Sequence, residues 1–210
     1  MKDTYCYIEF EFEDLASFDD LSQMFLKLKK VKDELSENIN LEQKSNLIYE
    51  DPVSNYQWKD YLNEKAIAHF KNTFDFNSQE GIIYWQLWEI TQPQIRLKHP
   101  FFKTPGNWDF ECMLDAIFNG YYYLIDLVKE KDNQGCLYYQ PTAYPFGGSD
   151  SLVELIKSFG NKITYNSRHK YIKPAIESMW NYELARELVR QKTGFTPQLL
   201  HDWKIKQKIN

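Results

Sequence analysis

The chain has 210 residues, 43% of them apolar and 26% charged, and a net charge of −5. Such a composition can bury a sizeable core and excludes an intrinsically disordered chain. The length lies within the range of one domain, so we expect residues 1–210 to form a single domain.

The sequence also excludes several classes of protein. No run approaches the roughly 20 apolar residues of a membrane span, and no secretory leader precedes the first predicted strand. We therefore expect a cytoplasmic protein without a membrane partner. The three cysteines, Cys6, Cys112 and Cys136, form no CxxC pair, which favours reduced thiols. Basic residues are scattered over an acidic chain, so no nucleic-acid partner is expected.

The first 35 residues predict a strand and then a helix. Apolar and polar side chains alternate from Thr4 to Glu13, which is typical of a half-buried strand. After Ser17, apolar residues recur at steps of three and four positions as far as Leu35. This spacing predicts a helix of about five turns, in which Ser17 caps the first turn.

The next segment, residues 36–54, is polar and predicts mostly a loop. It contains one short predicted strand, Asn46–Glu50. Ser54 followed by Gln57 resembles a capping box. An apolar row at every fourth position then predicts a second helix, which ends near Lys71.

The middle of the chain predicts two strands and a third helix. Ile82–Thr91 is apolar on both alternating faces, which is typical of a central strand covered on both sides. Pro93 interrupts this strand, and Gln94–His99 is predicted to return as an edge strand. Asn107 then caps the third predicted helix, whose apolar positions match the helical spacing.

The second half of the chain begins with a predicted hairpin, formed by Tyr121–Val128 and Cys136–Gln140. A helix at Ser149–Phe159 and a strand at Lys162–Tyr165 follow, and a long helix opens at Pro174. The elements in this order predict an α+β fold. We expect a mixed, mostly antiparallel sheet packed by about six helices in a single compact domain.

The segment Tyr144–Asp150 places two glycines directly before a predicted helix. Paired glycines leave backbone N–H groups free to meet an anion at the positive end of a helix. A later basic cluster could complete such a site, and the candidate ligand-binding residues are Gly147, Gly148, Ser149, Arg168 and His169. A tight turn with its own cap is the alternative, because Asp150 adds a negative charge and no nucleotide-binding motif follows.

The outer face of the first predicted strand carries a row of tyrosine and glutamate side chains, Tyr5, Tyr7, Glu9, Glu11 and Glu13. Alternate residues of a strand lie about 6–7 Å apart, so the glutamate charges reinforce one another. The row is a candidate surface for a lysine-rich partner. An ordinary solvated face is the alternative.

Function is the least determined property of this sequence. It has no recognisable catalytic motif and no metal-ligand spacing, so no catalytic residue, metal or cofactor is assigned. The first hypothesis is a non-enzymatic cytosolic protein-binding domain with an acidic and aromatic surface. A domain that neutralises a basic partner, as toxin-immunity proteins do, is one form of it. The alternative is an enzyme or small-anion-binding domain centred on Tyr144–Asp150, and a homodimer is a third hypothesis.

Overall fold

The computed structural model describes residues 1–2, 4–42, 51–54, 57–143, 148–168, 178–196, 198–199 and 201. These residues divide into two compact units. The described residues within Met1–Asn72 and Trp108–Lys173 form unit 1, and those within Thr73–Asn107 and Pro174–Asn210 form unit 2. The expectation that residues 1–210 form a single domain stays a prediction.

Helices and strands follow one another in mixed order along the described residues. The helices are α1 (Leu15–Glu42), α2 (Glu64–Lys71), α3 (Gln79–Ile90), α4 (Pro93–Arg96), α5 (Phe110–Phe118), α6 (Asp150–Ser158) and α7 (Tyr182–Arg190), with short 3-10 helices at Trp58–Tyr61 and Pro100–Phe102. The strands are β1 (Cys6–Glu11), β2 (Tyr122–Lys131), β3 (Gln134–Pro141) and β4 (Lys162–Asn166). The predicted α+β class is confirmed. None of these helices combines the length and the apolar composition needed to cross a membrane.

The strands of unit 1 form one sheet of order β2-β3-β1-β4, in which every pairing is antiparallel. The mostly antiparallel sheet is therefore also confirmed. Helix α1 follows β1, and α6 connects β3 to β4, while β1 pairs with β3 rather than with β2. This strand order is that of the ferredoxin-like split β-α-β motif. Many unrelated functions occur on this motif, so the fold alone assigns none.

The core of unit 1 lies between one face of the sheet and the helices α1 and α6. Ile8 and Phe10 of β1 are fully buried there, together with Leu21 of α1 and Leu155 of α6. Burial of a side chain of this size contributes about 1.5–3 kcal/mol. A Cβ atom at Gly135 of β3 would lie 2.3 Å from Phe10 Cζ, so the phenyl ring occupies the space that a side chain would need.

Unit 2 contains the packing of α3 against α7. Ile83 and Leu87 of α3 share a buried cluster with Ala185 of α7. Just after α3, Thr91 Oγ1 donates to Leu87 O at 2.7 Å and accepts a hydrogen bond from Phe195 N at 3.1 Å. These bonds fix the end of α3 against the segment that follows α7.

The strand predicted at Ile82–Thr91 is wrong, because these residues form most of α3. Ser78 caps this helix by accepting a hydrogen bond from Gly81 N at 3.1 Å. Apolar residues occur all around α3, so periodicity alone does not separate a buried helix from a buried strand. The edge strand predicted at Gln94–His99 is wrong as well, because Pro93 opens α4 in the first turn, where proline is well tolerated.

Three predicted helix caps and part of a predicted loop are also wrong. The caps were expected at Ser17, Ser54 and Asn107, whereas the structure has Asp14, Asn63 and Asp109. Residues 36–42 extend α1 instead of forming a loop, and the strand predicted at Asn46–Glu50 lies outside the described residues. Polar residues are dense before each of these helices, so several positions compete as caps in the sequence.

The other strand predictions agree with the structure. β1 lies inside the predicted Thr4–Glu13, the hairpin of β2 and β3 lies where it was predicted, and β4 extends the predicted Lys162–Tyr165 by one residue. In each case a local pattern of alternation or turn residues coincides with burial on one face.

Candidate functional site

Three tyrosine rings lie side by side on the outer face of the sheet, away from the core. Ile8 is buried towards the core, so its neighbour Tyr7 points to the opposite face. The Tyr7 ring lies 6.1 Å from the ring of Tyr138 on β3 and 5.6 Å from that of Tyr165 on β4. Tyr5 lies one residue before β1 and is partly buried. Tyr5 and Tyr7 as partner-binding residues stay a prediction.

Every glutamate of the predicted row has a lysine partner in the same unit. The pairs are Lys2–Glu9 at 2.6 Å, Lys162–Glu11 at 3.9 Å and Lys65–Glu13 at 3.0 Å. Ion pairs this exposed contribute little free energy, but each one cancels a negative charge. The row therefore offers a basic partner less net charge than the sequence suggests, and its binding role stays a prediction.

Lys2 also bridges two strands on this outer face by forming an ion pair with a glutamate of each. Its Nζ atom lies 2.8 Å from Glu130 Oε2 on β2, so the side chain reaches across β3 from Glu9 on β1. Tyr138 and Cys136 of β3 are both buried, and the Tyr138 hydroxyl donates to Glu130 Oε1 at 3.0 Å. Burial raises the pKa of Cys136 to about 11, so this thiol is protonated at neutral pH and is a poor nucleophile.

The predicted glycine-rich site is described in part. Gly147 and His169 lie outside the described residues, and Gly148 is exposed. Ser149 is only 1% exposed, and its Oγ accepts a hydrogen bond from Asn166 Nδ2 at 2.9 Å. The Asn166 Oδ1 atom accepts one from Arg168 N at 3.1 Å. Ser149 Oγ and the backbone N of Arg168 thus contact the same asparagine, while an anion site at these residues stays a prediction.

Tyr139 is a residue of this region that the sequence analysis missed. It lies on the core face of β3, is fully buried, and its hydroxyl makes no hydrogen bond with the described residues. Burial raises its pKa to about 12, while the nearby Ser149 hydroxyl and the charge of Arg168 act in the opposite direction. Buried tyrosine hydroxyls usually have a hydrogen-bond partner. The sequence shows only that a tyrosine lies in a predicted strand, and it does not show that this hydroxyl has no partner.

A histidine and a glutamate form a partly buried pair between α2 and α6. His69 Nε2 lies 2.7 Å from Glu154 Oε1, and Trp108 N donates to the same oxygen at 3.3 Å. Burial alone would raise the pKa of Glu154, but the hydrogen bonds from His69 and Trp108 outweigh it, and the net pKa is lowered. The carboxylate is therefore ionised at neutral pH and joins the two helices.

Unit 2 exposes a set of large apolar side chains along α3. Phe76, Ile82 and Trp85, here called the α3 face, are each between 41% and 47% exposed. The rings of Phe76 and Trp85 lie 5.5 Å apart. The sequence analysis missed this surface because a central strand would have covered it on both sides.

The segment around α3 carries more negative than positive formal charge, although the guanidinium of Arg96 lies 5.2 Å from the ring of Trp88 on α3. No lysine or arginine occurs between Lys71 and Arg96, whereas Asp75 and Glu89 are both exposed. Glu80 lies in the first turn of α3, and its carboxylate accepts a hydrogen bond from Trp180 Nε1 at 2.6 Å. This segment therefore has the acidic and aromatic character that was predicted for the outer face of β1.

Two other features of the described residues bear on function, namely the possible metal ligands and an open depression on α1. The described residues contain no group of three histidine, cysteine or carboxylate side chains placed to hold a metal ion. An open depression on α1 is lined by Leu26 and by two ion pairs, Lys29–Asp33 at 2.8 Å and Lys30–Glu34 at 3.8 Å. These i,i+4 pairs are typical of a solvated helix surface.

Comparison of the chain with protein-family models, curated proteins and solved structures gives no match. Function is therefore inferred from the contacts, burial and charge of the described residues.

Proposed function

We propose that this protein is a non-enzymatic binding protein, which binds a basic partner protein through the α3 face. The observation that supports the proposal most is the exposure of Trp85, at 47%, beside the exposed Phe76. Tryptophan and other large aromatic side chains contribute a large share of the binding energy in protein interfaces. Large apolar side chains grouped on one exposed surface favour an interaction site.

The α3 face is not needed to complete the core of unit 2. Ile83, Tyr84 and Leu87 already bury the opposite side of α3. The exposed Ile82 and Trp85 add apolar surface that packs against less of the unit. Water at such a surface is released when a partner covers it, which favours association.

Charge favours a basic partner over an acidic one. Asp75 and Glu89 lie at or beside α3, and the segment between Lys71 and Arg96 contributes no positive charge. Complementary charge at the rim speeds association and selects among partners. Neutralisation of a basic toxin is one form of this function. The outer face of β1 is a weaker candidate, because its glutamates are paired with lysines of the same chain.

A cytoplasmic location belongs to the same proposal. Cys6, Cys112 and Cys136 are all free thiols in the structure. Free cysteines favour a reducing compartment, in which disulfides are rare.

The proposal is tested by affinity capture of the tagged protein from its native lysate, with wild type and two variants side by side. Trp85→Ser removes the centre of the α3 face. Tyr123→Ser is the matched control, because Tyr123 of β2 is an aromatic residue of similar exposure, 49% against 47%. We expect a basic protein to be captured in stoichiometric amount by wild type and by Tyr123→Ser, to be lost with Trp85→Ser, and to elute with salt.

Two results would contradict the proposal. Capture of the same partner by Trp85→Ser would remove the α3 face from the interface. Self-association of the purified protein that Trp85→Ser abolishes would assign the same face to a homodimer instead.

A further inference from the structure

The N-terminal end of α6 in unit 1 lacks the side-chain cap that α2, α3, α5 and α7 have. Asn63, Ser78 and Asp109 each accept a hydrogen bond from a first-turn N–H group of their helix. Ser149 does not, because its Oγ accepts from Asn166 Nδ2 instead. First-turn N–H groups have no partner inside a helix and carry partial positive charge. Among the described residues, Ser149 therefore leaves these groups without a side-chain cap.

A second and independent observation is the buried hydroxyl of Tyr139. This side chain is 0% exposed, and its hydroxyl has no hydrogen-bond partner among the described residues. Its ring lies 5.9 Å from that of Tyr122, whose hydroxyl meets Ser151 Oγ in the first turn of α6 at 3.1 Å, so Tyr139 lies beside the start of α6. The Ser149 hydroxyl is near, but the two oxygens do not have the geometry of a hydrogen bond. An unsatisfied buried hydroxyl destabilises a fold unless a ligand or water completes it.

The polar groups that meet at this point are hydrogen-bond donors. The pKa of Tyr139 is raised to about 12, so the phenol keeps its proton. The Ser149 oxygen already accepts a bond from Asn166, so its own hydrogen remains to be donated. The Asn166 side chain also holds Arg168 N at 3.1 Å, which keeps a guanidinium-bearing residue at the site. Donors around a helix N-terminus favour an oxyanion as the ligand.

The burial of the site and the charge of its surroundings limit which ligands can bind there. Ser149 is 1% exposed and Tyr139 is fully buried, so a ligand that contacts both hydroxyls has to be small. The first turn of α6 already carries the carboxylate of Asp150. This negative charge disfavours a doubly charged ligand.

We propose that unit 1 binds a small, singly charged oxyanion group, a carboxylate or a protonated phosphate, at the N-terminal end of α6. The Tyr139 hydroxyl, the Ser149 hydroxyl and the first-turn N–H groups donate to it. This site is independent of the α3 face, so either proposal can fail while the other stands.

The test measures the thermal midpoint of the full chain in acetate, in phosphate and in chloride at equal ionic strength. At a tenfold excess over the dissociation constant, a bound anion raises the midpoint by about 3–6 °C. We expect this rise in acetate or phosphate relative to chloride, and the anion that causes it identifies the ligand class. Tyr139→Phe should lose most of the rise, and Ser149→Ala should reduce it.

Tyr122→Phe is the matched control. Tyr122 is buried on the same face of the sheet, with its ring 5.9 Å from that of Tyr139, but its hydroxyl is paired with Ser151 Oγ at 3.1 Å. In chloride, Tyr122→Phe should lower the midpoint, whereas Tyr139→Phe should leave it unchanged or raise it. In acetate or phosphate, Tyr122→Phe should keep the wild-type rise.

Three outcomes would overturn the proposal. The first is the absence of a rise for the wild-type protein in both anions. The second is an equal rise in wild type and Tyr139→Phe, which would indicate a general salt effect. The third is a loss of stability for Tyr139→Phe in chloride as large as that for Tyr122→Phe, which would mean that the Tyr139 hydroxyl has a partner inside the fold.

Discussion

Lys2 Nζ lies 2.8 Å from Glu130 Oε2, although the two residues are 128 positions apart in the sequence. The same ammonium group lies 2.6 Å from Glu9 Oε1. Glu9 is on β1 and Glu130 is on β2, two strands that are not neighbours in the sheet. One lysine near the start of the chain thus bridges the outer face across β3 and neutralises part of it.

The Lys2 bridge predicts a small, salt-dependent coupling between the two residues. In a double-mutant cycle of Lys2→Met and Glu130→Gln, we expect a coupling free energy of about 0.5–1 kcal/mol at low salt, because the side chains are 37% and 28% exposed. High salt should reduce it. Lys30 and Glu34, which are more exposed and 3.8 Å apart, are the control pair and should show almost no coupling. Denaturant unfolding measures both cycles, and equal couplings would show that Lys2 forms no special bridge.

A second prediction concerns the buried Lys32 of α1. Its Nζ atom donates to three carbonyl oxygens at and after the end of α5, those of Ile117 at 2.7 Å, Phe118 at 2.9 Å and Gly120 at 2.9 Å. Lys32→Met removes these bonds and should cost about 2–4 kcal/mol of unfolding free energy at pH 7. The exposed Lys30→Met on the same helix should change stability by less than about 0.5 kcal/mol. A similar small effect at both positions would mean that water replaces the Lys32 bonds without loss.

The titration of Lys32 gives a third prediction with a defined sign. Burial lowers the pKa of Lys32 from 10.5 to about 8. Between these two pH values the unfolded chain binds more protons than the folded one, so the lysine makes stability rise with pH. Lys32→Met has no such titration, so the advantage of wild type over this variant should grow from pH 8 to pH 10, by on the order of 2–3 kcal/mol. An advantage that shrinks with rising pH would show that the carbonyl oxygens favour the charged amine more than burial opposes it.

The pair of His69 and Glu154 predicts a pH dependence of the same sign as that of Lys32, but in the acidic range. The net pKa of Glu154 is lowered in the folded protein from its ordinary 4.5, so its contribution is present above that value and is lost as the pH falls. We expect Glu154→Gln to cost about 1–2 kcal/mol at pH 7 and to be nearly neutral at pH 3. Thermal unfolding of both proteins at the two pH values measures this. A cost that is the same at pH 3 would show that shape rather than charge matters at this position.

The helical structure of α3 gives a fifth prediction. Ser78 caps α3 through its bond from Gly81 N, so Ser78→Ala should cost about 1 kcal/mol. Ser54 was the cap predicted for the helix that ends near Lys71, but in the structure its hydroxyl donates to Asp51 Oδ2 at 2.5 Å. Ser54→Ala should therefore change stability by a few tenths of a kcal/mol. Equal effects of the two substitutions in denaturant unfolding would argue against the cap at Ser78.

The sheet of unit 1 was predictable strand by strand but not as a whole. The alternation around Ile8 and Phe10 and the hairpin turn before Cys136 are local signals, and both agree with burial. The pairing of β1 with β3 joins segments that are far apart in the sequence, and no local pattern encodes it. The ion pair of Glu9 was not predicted either, because its partner Lys2 lies outside the predicted strand Thr4–Glu13.

The two candidate sites depended on long-range structure to different degrees. Ser149 and Arg168 could be proposed together because each stands out in the local sequence, and Asn166 does bring them together. Tyr139 could not, because an unpartnered hydroxyl becomes visible only when burial is known. The α3 face was not predicted, because the apolar run around Trp85 was interpreted as a strand covered on both sides. Periodicity alone does not distinguish such a strand from a buried helix.

The most direct test of the α3 face as a partner site is photo-cross-linking in the cells that produce the protein. A benzoylphenylalanine replaces Trp85 in one protein and Tyr123 in another, two positions of similar exposure, 47% and 49%. We predict a cross-linked product with a basic protein from position 85 and none with that protein from position 123. The same product from position 123, or no partner product from position 85 while position 123 gives one, would contradict the proposed function.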